Sequence, residues 1–116
     1  MKREDFIWEF LPAGLKDVFE IVNVRKTATE FHVYLDEIRQ KSPEDRWNKS
    51  IVGKGFTEYK MIQDHMTRGR ATFLHFRKCK WLDKDTGEIF SYDIDYEEED
   101  GTLLTRELVD FLKGED

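Results

Sequence analysis

Cysteine and proline are scarce in this chain, and long apolar runs are missing. The single cysteine, Cys79, excludes an internal disulfide and a cysteine-rich zinc site. No apolar run approaches the roughly 20 residues that cross a bilayer, and residues 1–5 turn acidic where a signal peptide becomes apolar. We therefore expect no membrane span, no export signal and a cytoplasmic location. A chain of 116 residues can form one domain, residues 1–116, with its own core.

Catalytic motifs are missing as well. The sequence has no Walker loop, no glycine-rich dinucleotide turn and no nucleophile elbow. His32, His65 and His75 lie on different predicted elements without metal-ligand spacing, so we interpret them as ordinary packed or exposed residues. The lysines beside Cys79 point to the other face of a strand, so they are not expected to lower its pKa. We predict a chain that is not an enzyme and that uses no metal, cofactor or small-molecule substrate.

Charge is distributed unevenly along the sequence. The whole chain carries a net charge of −6, which is unfavourable for general binding of nucleic acid. Residues 51–82 nevertheless hold seven Lys/Arg against two Asp/Glu, whereas residues 83–116 hold three against 13. A basic segment on an acidic body can still bind phosphate groups. The alternative is a solvated strand face whose charges pair with an acidic partner strand.

Two alternating runs, residues 71–81 and 89–96, predict the central element of the fold. Alternation of apolar and polar residues is typical of a half-buried strand. The runs are joined by the polar segment 82–88, in which Gly87 can adopt the positive φ that a tight connection needs. We therefore expect one long β-hairpin, with a buried base and a charged tip.

The remaining elements place this hairpin in an α+β fold. We expect a small antiparallel sheet of four or five strands with helices at the N- and C-terminal ends. Trp47 is predicted to attach an exposed loop, with one helical turn after Ser42-Pro43, to the core. The predicted helices cover residues 3–10, 12–19 and 105–113; the predicted strands cover 21–26, 30–37 and 59–64 in addition to the hairpin, and residues 38–50 form the loop.

The basic segment is the best functional candidate in the sequence. Cationic side chains interleaved with aromatic rings on a β-ribbon can follow a phosphate backbone and stack on bases. The alternative is structural: Arg77 pairs with Asp93 or Asp95 across the hairpin, and Trp81 anchors the hairpin base. The candidate DNA-binding residues are Arg68, Arg70, Arg77, Lys78, Lys80 and Trp81.

A series of short motifs resembles the N-terminal region of bacterial insertion-sequence transposases of the ISAon type. The resemblance covers roughly residues 10–113 and lies in the order and spacing of the motifs. They are Leu11-Pro12-x-Gly14-Leu15, Val33-Tyr34-Leu35-Asp36-Glu37, Lys54-Gly55-Phe56, Ile62-Gln63-Asp64, Arg68-Gly69-Arg70, Leu74-His75-Phe76-Arg77-Lys78-Cys79-Lys80-Trp81, Asp85-Thr86-Gly87 and Thr105-x-Glu107-Leu108.

This resemblance implies a non-catalytic module that binds or helps recognise the DNA ends of an insertion sequence. The ribonuclease-H-like catalytic domain of transposases is much longer than this chain. Related proteins carry a zinc knuckle after the basic strand, but residues 83–87 here have no cysteine, so no zinc is expected. The acidic residues 93–100 depart from the basic pattern of the family. An alternative is therefore a protein–protein module that docks a separately encoded transposase catalytic subunit.

Overall fold

Two β-sheets make up most of the described structure. In a computed structural model, the chain is described over residues 7–8, 11, 15–67, 69–94 and 110–111, with the backbone alone at residues 64–67. β1, β2, β5 and β4 form a four-stranded sheet in that order, the large sheet; β3, β6 and β7 form the small sheet. The strands are β1 Phe19–Lys26, β2 Glu30–Glu37, β3 Ile51–Phe56, β4 Lys60–Thr67, β5 Arg70–Arg77, β6 Cys79–Asp83 and β7 Ile89–Phe90.

The predicted α+β class with terminal helices is wrong. The described residues contain no helix of seven residues or more, and their helical segments include 3₁₀ turns at Leu15–Asp17 and Pro43–Asp45. The helix predicted over 12–19 is cut short because Phe19 already begins β1, where its ring packs 5.0 Å from that of Phe76. The helices predicted over 3–10 and 105–113 fall mostly outside the described residues.

The prediction of one long β-hairpin is also wrong. The run predicted as one strand is divided at Lys78 into β5 and β6, which belong to different sheets. β5 pairs in parallel with β2 and antiparallel with β4, whereas β6 pairs with β3 and meets β7 only at Trp81↔Phe90 and Leu82↔Ile89. Period-2 alternation shows which side chains share a face, but it does not select the partner strand.

The local turns agree with the sequence predictions. β2 spans the predicted residues, and Thr27 caps its connection to β1 by accepting hydrogen bonds from the backbone N–H groups of Thr29 and Glu30. The helical turn after Ser42-Pro43 is present. Between β6 and β7, Gly87 has a φ of 77° and its N–H donates to the carbonyl of Asp83. The predicted bounds of β2, the helical turn and the Gly87 turn are thus confirmed. Each of them depends on residues that are close together in the sequence.

One face of the large sheet forms the main core. Five apolar side chains of β2, β4 and β5 on this face are 0–2 % exposed: Val33, Leu35, Ile62, Leu74 and Phe76. They are covered by Ile7, Leu11, Leu15, Ile94 and Phe111, which belong to the same apolar cluster. Burial of each such side chain contributes about 1.5–3 kcal/mol. The alternate side chains of the same strands lie on the opposite face, which we call the open face.

The small sheet has a separate, smaller core on its inner face. Ile51, Cys79 and Trp81 are buried there. The guanidinium of Arg39 lies 5.1 Å from the ring centroids of both Phe56 and Trp81. It donates to the carbonyls of Lys80 and Gly55 and passes over Gly53, where a Cβ would lie 2.7 Å from Arg39 Nη1. Gly53 therefore leaves the space that Arg39 occupies.

Trp47 does not attach its loop to either core, contrary to the prediction. Its side chain is 84 % exposed. Hydrogen bonds hold the loop in its place: Tyr92 donates its hydroxyl to Asp45 over 2.7 Å, and Lys41 donates to the carbonyl of Asn48. Among the described residues, no helix is long and apolar enough to cross a membrane.

The two faces of the sheets predict different responses to side-chain truncation. Leu35→Ala should lower the free energy of unfolding by about 2–5 kcal/mol, because it leaves a cavity in the main core. Leu82→Ala on the half-buried outer face of the small sheet should cost much less. Urea denaturation of both variants checks this, and equal losses would contradict the assignment of faces.

Candidate functional site

Arg77, one of the predicted DNA-binding residues, is engaged in an ion pair, and its side chain is 31 % exposed. Its Nε and Nη2 each donate to a different carboxylate oxygen of Asp36, both over 2.7 Å. Asp36 is 5 % exposed and also accepts a hydrogen bond from the hydroxyl of Tyr59. The guanidinium lies 4.2 Å from the ring centroid of Phe56 and 4.7 Å from that of Tyr59. Arg77 is thus paired, as the structural alternative anticipated, but its partner is Asp36 on β2.

Lys78 and Trp81 are both buried. Lys78 is 4 % exposed, and its backbone N–H donates to the Thr57 hydroxyl. Trp81 is 5 % exposed, between Arg39 and Tyr92. These contacts give both residues structural roles at the passage from β5 to β6.

The other three predicted residues are not gathered beside them. Arg70 begins β5 and donates from Nε to the carbonyl of Thr27, at the far end of the large sheet. Arg68 lies outside the described residues. Lys80 lies on β6 and is half-buried. The basic run is therefore distributed between the two sheets, and of the five candidates that the structure describes, only Lys80 is placed on an outward face of the small sheet.

Other lysines share that outward face with Lys80, and we call it the lysine face. Alternation along β3 and β6 places Val52, Lys54, Lys80 and Leu82 on the side opposite the buried Trp81. The β3 bulge, residues 54 and 55, lies between the pairs Gly53↔Trp81 and Phe56↔Cys79, across from Lys80. Lys84 follows at the end of β6 and is exposed. None of the three ammonium groups has an ion-pair partner among the described residues.

The open face of the large sheet carries a cluster that the sequence analysis did not identify. His32 on β2 and His75 on β5 are joined by a hydrogen bond of 2.8 Å between Nδ1 of His32 and Nε2 of His75. His32 Nε2 lies 3.1 Å from the carboxylate of Glu30. The Tyr34 ring stacks on His75 with centroids 4.2 Å apart, and Phe73 stacks on His32 at 5.0 Å. Parallel pairing of β2 with β5 brings these rings together.

The hydrogen bonds fix the tautomers of the two imidazoles in their neutral forms. A carboxylate only accepts, so His32 must donate to Glu30 from Nε2. Nδ1 of His32 is then an acceptor, and His75 must donate to it from Nε2. The remaining nitrogen of His75, Nδ1, carries the free lone pair. The two hydrogen bonds therefore run in one direction, with His75 donating to His32 and His32 donating to Glu30. A proton added to His75 enters at Nδ1.

The pKa values of His75, Tyr59 and Cys79 are displaced from their ordinary values. Burial lowers the pKa of His75 below its ordinary 6.5, and electrostatic interactions with His32 and Arg25 lower it further. Burial raises the pKa of Tyr59 to about 12, and its hydrogen bond to Asp36 acts in the same direction. Burial raises the pKa of Cys79 to about 11, which agrees with the expectation that the neighbouring lysines do not lower it.

The histidine cluster offers no chelating site. The two facing nitrogens bond to each other, and the described residues include no group of three or more His, Cys, Asp or Glu placed to hold a metal ion. A signal for the cluster exists in the sequence only as one histidine in each of two strands. Their proximity depends on the parallel register Tyr34↔His75, which joins residues 41 positions apart.

Acid should weaken the fold through His75. Because its folded-state pKa lies below 6.5, the unfolded chain binds the proton more readily, so stability is complete above about pH 6.5 and falls as pH drops through the folded-state value. His75→Phe keeps a stacking ring and removes the titration. The free energy of unfolding, measured from about pH 7 to about pH 5, should decline less steeply in this variant. An unchanged slope would contradict the assignment of this pH dependence to His75. The variant His32→Phe tests the same hydrogen-bonded pair by replacing its member on β2.

Comparison with known proteins adds no assignment for these surfaces. No protein-family model, no curated protein and no solved structure matches the chain. The chemistry of the lysine face and of the open face is therefore the basis for a functional proposal.

Proposed function

We propose that this chain is a non-catalytic, transposase-derived module that binds the DNA ends of an insertion sequence through its lysine face. The observation that carries the proposal is the placement of Lys54, in the β3 bulge, and Lys80, on β6, on one outward sheet face, with the exposed Lys84 at the end of β6. The motif resemblance supplies the class of DNA. The chain would act in the cytoplasm, alongside a separately encoded catalytic subunit.

Electrostatics favours an anionic ligand on this face. Lys54 and Lys80 lie on one face of neighbouring strands, and like charges placed near each other in this way repel. Asp83 does not relieve the repulsion, because alternation places it on the inner side with Trp81. A phosphate group bound between the ammonium groups would relieve this repulsion. Val52 and Leu82 on the same face can contact the sugar edges.

An acidic chain needs such a local arrangement to bind DNA. The net charge of −6 repels a duplex at long range, so affinity depends on direct phosphate contacts and falls steeply with salt. The cation count on the lysine face is small, and binding is expected at low ionic strength or together with the catalytic subunit.

The lysine face predicts the salt dependence of binding. The triple variant Lys54→Ala/Lys80→Ala/Lys84→Ala should lower the slope of log affinity against log salt by about two to three, since each phosphate contact contributes about 0.9. Fluorescence anisotropy with a labelled duplex of the element's terminal repeat measures the slope. Arg77 and Lys78 are unsuitable for this test, because their truncation would disturb the passage between the sheets.

A control variant separates site from net charge. Lys16→Ala/Arg25→Ala/Lys26→Ala removes the same charge from β1 and the 3₁₀ turn before it, and it should leave the slope almost unchanged. Equal losses in both triple variants would show that only net charge matters. A native chain that binds no terminal duplex at low salt, with or without the catalytic subunit, would overturn the proposal.

The open face supports a second candidate function, docking of the transposase catalytic subunit. Met61 is 52 % exposed and Tyr59 38 %, beside the stacked Tyr34 and His75 rings. Tyrosine and methionine are typical of protein interfaces. Met61→Glu should abolish co-purification with the catalytic subunit if this face docks it, whereas the triple lysine variant should retain it. Undiminished co-purification of Met61→Glu would exclude this face.

A further inference from the structure

Trp47 is the most exposed large apolar side chain that the structure describes. It is 84 % exposed, whereas Trp81 is 5 % exposed and Trp8 is half-buried. The guanidinium carbon of Arg46 lies 5.4 Å from its ring centroid, which places a cation over one ring face. An indole in water forgoes the burial free energy that a ring of this size gains in a core. Its position therefore needs an explanation beyond folding.

The loop that presents Trp47 is ordered by hydrogen bonds on both sides of the residue. Before it, the N–H of Asp45 donates to the carbonyl of Ser42 over 3.0 Å. After it, Asn48 donates from its N–H to the carbonyl of Asp45, and its side-chain Oδ1 accepts from the N–H of Ser50. The ammonium of Lys41 closes the loop at the carbonyl of Asn48 over 2.8 Å. A ring held on such a loop loses little conformational entropy when a ligand stacks on it.

The same loop is joined to the lysine face. The N–H of Lys84 donates to the carbonyl of Ser50 over 2.9 Å. Two residues, Asn48 and Lys49, separate Ser50 from Trp47, so the Cα atoms of Trp47 and Ser50 are at most about 11 Å apart. Lys49 lies between them and is exposed. A cationic path thus leads from the lysine face through Lys84 and Lys49 to the exposed indole.

We infer that Trp47 stacks an unpaired base of a DNA strand whose phosphates lie on the lysine face. The substrate class is therefore DNA with a single-stranded end rather than a fully paired duplex. This inference rests on the proposed function. A nucleobase matches the site because it is flat enough to stack on the indole and is joined to the phosphates that Lys49 and Lys84 contact. The Arg46 guanidinium holds the opposite ring face.

Tryptophan fluorescence and affinity together test the inference. The probes are a duplex with a short oligothymidylate overhang and the blunt duplex of the same sequence. The native chain should bind the overhang duplex more tightly, and its emission should be quenched. Trp47→Ala should lower affinity for the overhang duplex by about five- to 150-fold, the range for loss of one stacked base. Trp47→Phe keeps a ring, so it should retain most of the preference while the quenching disappears.

The outcomes separate this inference from the function on which it rests. If the triple lysine variant loses binding to both duplexes while Trp47→Ala binds like the native chain, DNA binding stands and base stacking is overturned. Equal affinity of the native chain for the two duplexes overturns it as well. Loss of the catalytic subunit but not of DNA in Trp47→Ala assigns the indole to a protein contact instead. If the native chain binds neither duplex at low salt, the proposed function fails first.

Discussion

The ion pair between Arg77 and Asp36 is the interaction on which the arrangement of the two sheets depends. Asp36 lies almost fully buried on the large sheet, so its charge needs a partner with matching geometry. The guanidinium supplies two parallel hydrogen bonds. Its face also meets Phe56, the last residue of β3, so one side chain connects both sheets. Next to it, the N–H of Cys79 donates to the carboxylate of Glu37 over 2.8 Å, and burial raises the pKa of that carboxylate.

The passage from β5 to β6 decides which cationic side chains are available for binding. Arg77 is neutralised and Lys78 is buried at the point where β5 becomes β6. The chain then enters the small sheet, where alternation resumes and Lys80 points outward on the same face as Lys54. The same change of sheet leaves the rings of His75 and Tyr34 on the open face. A single basic run in the sequence is thus divided into a structural half and an outward half, and the proposed DNA contact belongs to the second.

Sequence reasoning succeeded where neighbouring residues carry the information. β2, the turn after Ser42 and the Gly87 turn are all determined within a few residues. It failed for Trp47, because apolar character alone does not reveal that a hydrogen-bonded loop holds the ring in solvent. The candidate site was only partly predictable for the same reason: Lys80 was identified, but its neighbour Lys54 was not.

The sequence by itself determined the alternating strands, their turns and the local excess of positive charge, because these follow from residue type and spacing of period two. Only the tertiary structure decided which strands pair. Parallel pairing of β2 with β5 brings together residues about 40 positions apart, and no local pattern specifies a partner at that distance, since every alternating strand offers the same backbone hydrogen bonds. That pairing places Asp36 beside Arg77 and His32 beside His75. Burial of Leu35, Leu74 and Phe76 against the covering residues then fixes which face stays open.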